Sequence, residues 1–488
     1  MPQNQSQFSS ISEIMKIVNN KFTDCPDLIK KQVYSSDGRE AYFIYIESLA
    51  DKDLVQRDFI TPLLALDYED LLNEVYVKSQ IGTEIFIIND SNRMIRQIES
   101  GFSVFVCDGL YYAIGCKLTQ FAERSIEEPI VEKNVRGPHE GFVESLPTNI
   151  SILRRKIKNS NLKFKMLEVG TVTRQPVVIA YIQGIANPVL VNTLYKKIQS
   201  IQLDGATAVG YIEQSITDFP NSIFPQYQAT ERPDKVVAGL LEGRMAVILD
   251  GTPVALIVPV TFFSFFQALD DFSANWLHGS FLRLLRVASL FTALILPALY
   301  IAVTSFHYYA VPLNMLIPLA ESRSRVPFPP ILEVLILELT VEMVREAAVR
   351  LPTYIGTAIS VVAGLIIGEA AVGAGVVSNL LIVIVASTAV ATYVIPSYDM
   401  SLAIRLLRFA FMISASVFGM IGIAVCVSLT LAHLMTLESL GQPYFQPLSP
   451  LKPRDLKDTF LRFPLPFHKK RPDIAKPLKK KRGERDNG

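Results

Sequence analysis

The stretch PFPPILEVLILELTVEMVREAAVRLP (327–352) holds the residues most able to do chemistry, four glutamates and two interior arginines in an apolar setting. Pro329 and Pro330 suit the start of a helix and Pro352 limits its far end. At about 100° per residue, Glu338, Glu342, Arg345 and Glu346 share one face, and Val334, Leu337, Val341, Val344 and Ala348 share the opposite one. Glu338 and Glu342 form a like-charge pair at helical spacing. Arg345, three residues past Glu342, and Arg350, four past Glu346, can compensate. Such a helix is too charged to cross lipid unaided. Two readings stay open: an interfacial helix over 329–350 with a solvated polar face, or a polar face buried against a neighbouring subunit or a water-filled path. Glu333 lies off that face in the first turn, where the helix dipole favours an anion. A basic partner is expected for it, Arg323 or Arg325.

The next stretch, LPTYIGTAISVVAGLIIGEAAVGAG, repeats small and weakly polar residues at helical spacing: Thr353, Gly356, Thr357, Ser360, Gly364, Ile367 and Gly368. Such a stripe serves close helix packing. Repeated around a symmetric ring, it would line a pore, with Thr353, Thr357, Ser360 and Gly364 on the wall. Val361 or Ile367 would then supply a hydrophobic constriction and Glu369 a ring of carboxylates that favours cations.

These segments sit in the apolar half of a 488-residue chain. Val287–Ala320, Leu351–Gly368, Ala370–Tyr398 and Phe409–Leu437 carry no formal charge. They predict about four spans, near 287–306, 352–369, 377–396 and 409–434. From Lys452 onward thirteen Lys/Arg stand against five Asp/Glu, so the end of the chain reads as a basic, disordered cytosolic tail over 441–488. Arg283 and Arg286 place the N-terminal region on the same side, whereas Arg405 and Arg408 fall where the positive-inside tendency disfavours them.

Residues 1–280 mix charged and apolar positions as a soluble α/β domain does. EAYFIYIESL and TEIFIIND predict strands, and Asn149–Lys158 and Pro188–Ile198 predict helices. Gly101 leads through FSVFVC to Asp108-Gly109, and Gly243 leads through RMAVIL to Asp250-Gly251. In both, the Asp-Gly falls seven residues after the glycine. This repeat points to two related subdomains, 1–160 and 161–280, ahead of a membrane domain over 281–440. Asp250-Gly251 marks a hairpin turn, and an amphipathic helix is expected through Phe262–Leu269, on the membrane surface or against the domain.

No phosphate loop, nucleophile elbow or metal-ligand spacing emerges, so no catalytic residue, metal site or cofactor is assigned. His139 reads as a surface or turn residue, Asp204 and Asp250 as turn formers, and TERPD (230–234) as a loop or helix start. Cys25, Cys107, Cys116 and Cys426 read as free thiols.

FPQYQATERPDKVVAGLLEGRMAVILDGTP (224–253), LPALYIA (296–302), the glutamate-bearing helix, and IGTAISVVAGLIIGEAAVGAGVVS (355–378) occur in one order. Together they resemble the A subunit of GerA-family spore germinant receptors. RGPHEGFVESLPTNISILRRKI (136–157) fits too, with His139 where a second arginine is expected. The resemblance implies an inner-membrane protein of dormant endospores that works with a transporter-like B subunit and a lipoprotein C subunit. It implies a ring-shaped homo-oligomer in contact with membrane lipid, which opens as a cation channel when the partner senses a nutrient. A non-conducting scaffold that relays the signal is the alternative, and a secondary transporter, with its repeated spans, ranks behind both. No nucleic-acid partner is expected.

Overall fold

The computed structural model describes residues 10–118, 132, 137–273, 275–350 and 368–483. The chain divides into two compact units, 1–218 with 227–259 and 468–488, and 219–226 with 260–467.

The first unit contains two five-stranded antiparallel sheets of identical strand order. One comprises β1 (Leu28–Tyr34), β2 (Glu40–Ile46), β3 (Ile85–Ile88), β4 (Ser103–Cys107) and β5 (Ala113–Cys116), arranged β1-β2-β4-β5-β3. The other comprises β6 (Leu162–Val169), β7 (Gln175–Ile182), β8 (Gln228–Thr230), β9 (Met245–Leu249) and β10 (Ala255–Val258), arranged β6-β7-β9-β10-β8.

Alternation along β2 and β4 separates two cores, because successive side chains leave a strand on opposite faces. Phe43 and Phe105 are register partners with centroids 4.8 Å apart, and they pack with Phe59 and Leu63 from the helical turns of 52–64. Ile44, Ile46, Val104 and Val106 face the other way. They meet Ile14 and Val18 of α1 (Ile11–Lys21) and Met94 and Ile98 of α2 (Ser91–Glu99).

The repeat seen in the sequence is a repeat of structure. The helix before each third-position strand, α2 and its counterpart Pro233–Leu241, ends in the same glycine-terminated cap. Gly101 N donates to Ile98 O and Phe102 N to Gln97 O; Gly243 N donates to Leu240 O and Arg244 N to Gly239 O. Both glycines hold positive φ, 88° and 92°, as this cap requires. Gly109 and Gly251 then turn each strand back, again with positive φ.

The division near 160 shifts. Helix α3 (Leu146–Lys156) precedes β6 as α1 precedes β1, and Leu146 N is held by Asp250 Oδ1 of the second sheet. The second repeat therefore begins ahead of α3. The predicted helices at 149–158 and 188–198 appear as α3 and α4 (Pro188–Gln199). TERPD is a helix start, as expected: Pro233 opens α5 (Pro233–Leu241), and Arg232 Nη2 grips Asp234 at 2.6 Å.

Residues 441–483 are not a disordered tail. Phe262 N donates to Tyr444 O at 2.9 Å within the second unit. Within the first, Leu478 N donates to Ile185 O at 2.9 Å and Arg471 Nε to Leu241 O at 2.7 Å. Basic composition alone does not reveal this, because the segment is anchored by particular groups, the Arg471 guanidinium and the Leu478 amide, and by buried Ile474 and Ala475. Nor is Phe262–Leu269 an amphipathic surface helix. Phe262–Phe266 is one tight helical turn whose five residues are all buried, stacked with Phe445 and Phe460.

The second unit is helical: α6 (Trp276–Ser305), α7 (Leu313–Arg323), α8 (Pro330–Arg350), α9 (Asn379–Tyr393), α10 (Tyr398–Phe418) and α11 (Met420–Thr436). Only α6 and α10, among the described residues, are long and apolar enough to cross a membrane; α9 and α11 are shorter apolar helices. The span expected over 409–434 is broken. Gly419, with φ 57° and ψ −136°, reverses the chain between α10 and α11. The two helices then cross tightly at Gly422, where an added Cβ would collide with the Ser414 carbonyl oxygen. Uncharged composition runs straight through this turn, so hydropathy alone fuses the two helices. The expected spans at 287–306 and 377–396 fall on α6 and α9, and the expected span at 352–369 lies almost wholly outside the described residues.

Candidate functional site

Helix α8 carries its carboxylates inward. Glu333, Val334, Leu337 and Glu338 are buried, whereas Ile336, Leu339, Met343 and Val349 are exposed. In water this arrangement would be inside out. The sequence sets Val334 and Leu337 opposite Glu338, but the structure buries all three on one inward side; of the acids read as one charged face, Glu338 is paired inside the chain, Glu342 is a quarter exposed and Glu346 is solvated.

Their partners come from α10. Arg408 Nη1 lies 2.5 Å from Glu338 Oε2, with side chains 2% and 1% exposed. Arg408 Nη2 donates to Thr392 Oγ1 at 3.1 Å, and Thr388 Oγ1 donates to Glu338 Oε1 at 3.3 Å, so α9 completes the cage. One turn along, Arg405 Nη1 meets Glu342 Oε2 at 2.8 Å, with exposures of 9% and 25%. Arg345 adds a second cation to Glu342 at 3.1 Å and stacks over Tyr393 at 4.8 Å. Glu346 reaches Arg350 at 2.5 Å with both side chains in the open, 67% and 77% exposed. Burying an isolated charge in an apolar bundle is costly, and pairing with additional hydrogen bonds offsets that cost. The pairs form a graded ladder, dry at one end and wet at the other.

Glu333 closes a second cluster. Its Oε1 accepts from Ser378 N at 2.6 Å, and its Oε2 accepts from Tyr300 Oη at 3.4 Å and faces Arg323 Nε at 3.7 Å. The expected basic partner is thus Arg323, and the carboxylate also caps the N-terminus of α9. A third cluster anchors the start of α6. Asp271, fully buried, receives Arg283 Nε at 3.1 Å and Arg286 Nη1 at 2.7 Å, and Arg283 Nη1 reaches Asp458 Oδ1 at 2.6 Å. Arg462 closes on the Asp271 carbonyl, and burial lowers its guanidinium pKa from the ordinary arginine range.

Thr353, Thr357, Ser360, Val361, Gly364 and Ile367 lie outside the described residues; Glu369 is exposed on a helical stretch that follows them. The arginines of α6 and α10 appeared in the sequence only as signs of orientation. Arg405 and Arg408 lie 63 and 70 residues from their acids, a separation that no local pattern reports. The one available signal was the need of Glu338 and Glu342 for compensation. Among the described residues no group of three or more His, Cys, Asp or Glu is placed to hold a metal ion.

Residues 16–474 match the family model described as "GerA: Bacillus/Clostridium GerA spore germination protein". Spore germination protein B1 of Bacillus subtilis (strain 168) is 38% identical, covering 90% of this chain and 91% of that protein. The uncharacterized membrane protein YfkQ of the same strain is also 38% identical, over 90% and 86%. Spore germination protein GerLA of Bacillus cereus is 35% identical over 95% of each chain. With matches that run over nearly its whole length, the chain belongs to the GerA family of spore germination proteins.

Proposed function

We propose that the chain is a membrane subunit of a spore germinant receptor that turns nutrient sensing by a partner subunit into the start of germination, acting as an oligomeric cation channel. The observation that carries the membrane reading is the inverted second unit. Leu284, Phe291, Leu339, Leu406, Ile413 and Leu429 are exposed, while Glu333, Glu338, Arg283, Arg286, Arg405 and Arg408 are buried. Lipid accepts the first set and excludes the second. The α/β unit and the basic end of the chain belong on the cytosolic side of the spore inner membrane. The partners are a transporter-like B subunit, a lipoprotein C subunit and further copies of this chain, and no catalysis is assigned. Conduction runs along 353–369, with Val361 or Ile367 narrowing the path and the Glu369 carboxylate at its end.

A non-conducting relay is the second reading. It is favoured by one observation: Glu338 and Glu342 are each paired with arginine inside the chain, so these two carboxylates are already taken and offer a passing cation no free negative charge.

Potassium efflux from liposomes holding the full chain separates the two. The channel reading expects a tight wild type, a leak in Val361→Ala, and lost cation preference in Glu369→Gln placed on that leaking background. Folded, oligomeric protein that stays tight in every variant overturns conduction and leaves the relay.

A further inference from the structure

The helical unit ends at Phe467, and the chain passes from there into a short basic hairpin of the first unit. Residues 468–488 carry nine Lys/Arg against three Asp/Glu. A run so charged ordinarily holds no shape, because its charges repel and little apolar surface is there to bury. Here the backbone is fixed. Lys470 and Lys481 are antiparallel register partners, flanked by bonds from Arg471 N to Lys480 O at 2.8 Å and from Arg482 N to Lys469 O at 2.9 Å. The buried Arg471 side chain secures both strands, its Nη1 donating to Lys479 O at 2.9 Å.

This framework presents lysines. Lys469, Lys470, Lys476 and Lys480 are exposed and have no carboxylate partner among the described residues. Because the two bonds flank the Lys470–Lys481 pair, it is the narrow kind, with Cα atoms about 4.5 Å apart and side chains leaving on one face. Like charges set opposite each other destabilise a hairpin, and an anionic layer laid over them relieves the repulsion. The arginines offer nothing further: Arg471 holds carbonyl oxygens, and Arg482 reaches Glu242 Oε1 at 3.1 Å. Lysine heads are point charges that ask no fixed geometry of an anion, whereas nucleic acids are gripped by arginine forks and stacking aromatic rings. No Phe, Tyr or Trp occurs in 468–488. Leu478, set among the lysines, is 58% exposed. Lysines for phosphate groups and a leucine for the acyl boundary are the parts of a surface that meets lipid headgroups.

We infer that the hairpin of residues 468–483 docks on the anionic phospholipid headgroups of the bilayer that holds the helical unit. The attraction fades within a Debye length and weakens with salt, so the hold is sensitive to lipid charge and to ionic strength. The inference rests on the membrane reading above and not on conduction, and liposome efflux neither supports nor removes it.

The test uses the full chain in lipid nanodiscs of phosphatidylcholine alone or mixed with phosphatidylglycerol. A pulse of amine-acetylating ester is followed by mass spectrometry of each lysine. Acetylation of Lys469, Lys470, Lys476 and Lys480 should fall severalfold in the phosphatidylglycerol discs and recover in high salt. Lys30 and Lys31 of the edge strand β1, also exposed, should keep their rates. Lys476→Gln together with Lys480→Gln, which leaves the backbone bonds in place, should reduce the protection of Lys469 and Lys470. A chain that fails to enter the discs removes the membrane reading and this proposal with it. A chain that enters, with the four lysines equally reactive in both lipids, overturns the docking alone. Equal slowing at Lys30 and Lys31 also overturns it, because the bilayer charge would then be acting on every amine. So does protection in phosphatidylcholine discs by a single-stranded oligonucleotide or by inorganic phosphate that matches or exceeds the effect of phosphatidylglycerol.

Discussion

Three ion pairs on one helix differ chiefly in how wet they are, and this makes α8 a graded test of the inverted bundle. Arg408→Met leaves the Glu338 carboxylate buried with only Thr388 beside it. Breaking a pair this dry costs about 3–5 kcal/mol, or roughly two to four decades in the folding equilibrium. Arg405→Met should cost less, about 1–2 kcal/mol, because Glu342 is a quarter exposed and keeps Arg345. Arg350→Ala should cost no more than about 0.5 kcal/mol, since both partners are solvated. The measurement is unfolding of the full chain by SDS in mixed micelles, followed by far-UV circular dichroism and by the fluorescence of Trp276, the only tryptophan. The double variant Glu338→Met with Arg408→Met closes the cycle. Replacing both members of a buried pair by apolar groups is close to neutral, so it should regain most of the stability lost in Arg408→Met. A flat series across the three arginines would refute the reasoning. So would a double variant as unstable as the sum of its singles, because the inward pair would then be doing nothing as a pair.

Two further outcomes test the fold. Gly422→Val sets a side chain against the Ser414 carbonyl and should loosen the α10–α11 hairpin by about 1–3 kcal/mol; Gly373→Ala, which meets open space, should be neutral in the same SDS titration. In the first unit, burial first, then the charges of Asp218 and Glu213, push the Tyr227 phenol pKa upward. A raised folded-state pKa gives stability that is whole below about pH 10 and lost as pH climbs towards the folded value. Thermal unfolding of the wild type should therefore fall steeply above about pH 10. Tyr227→Phe, which gives up a 3.0 Å hydrogen bond to Ile216 O, should start lower by about 1 kcal/mol and decline less. Parallel curves would count against it.

What the sequence revealed and what it hid divide along physical lines. The duplication was legible because a glycine-terminated helix cap and an Asp-Gly turn need specific residues at fixed spacing, and both survive in each repeat. The boundary between repeats was not, because nothing in the residues of α3 says which sheet it covers; that is settled by Asp250 holding its first turn from 104 residues away. Gly419 was passed over since hydropathy weighs a glycine as neutral, whatever backbone conformation it takes. The faces of α8 were divided by residue type, with Val334 and Leu337 set opposite Glu338, whereas the structure buries all three together; residue type does not say which side of a helix turns inward. In water Glu338 would turn out; among apolar neighbours that expose leucines, it turns in.

The geometry of the ladder also constrains how these helices can move. Glu338 and Glu342 are four residues apart on α8, and their partners Arg408 and Arg405 are three apart, in reverse order, on α10. The two helices therefore run antiparallel with one register. A slip of a single turn, about 5.4 Å, would bring Arg408 opposite Glu342, where Arg345 already sits, and would strand Glu338 and Arg405 together without partners. Both stranded groups would then bear the cost of unpaired burial, which exceeds what one misplaced contact recovers. Sliding between α8 and α10 is thus the expensive motion, while movement of the pair as a body leaves both of its salt bridges intact. Glu333, on the same helix, bonds the Ser378 amide at the start of α9. A displacement passed along α8 would in this way reach α9 and α10 together, through three named carboxylates.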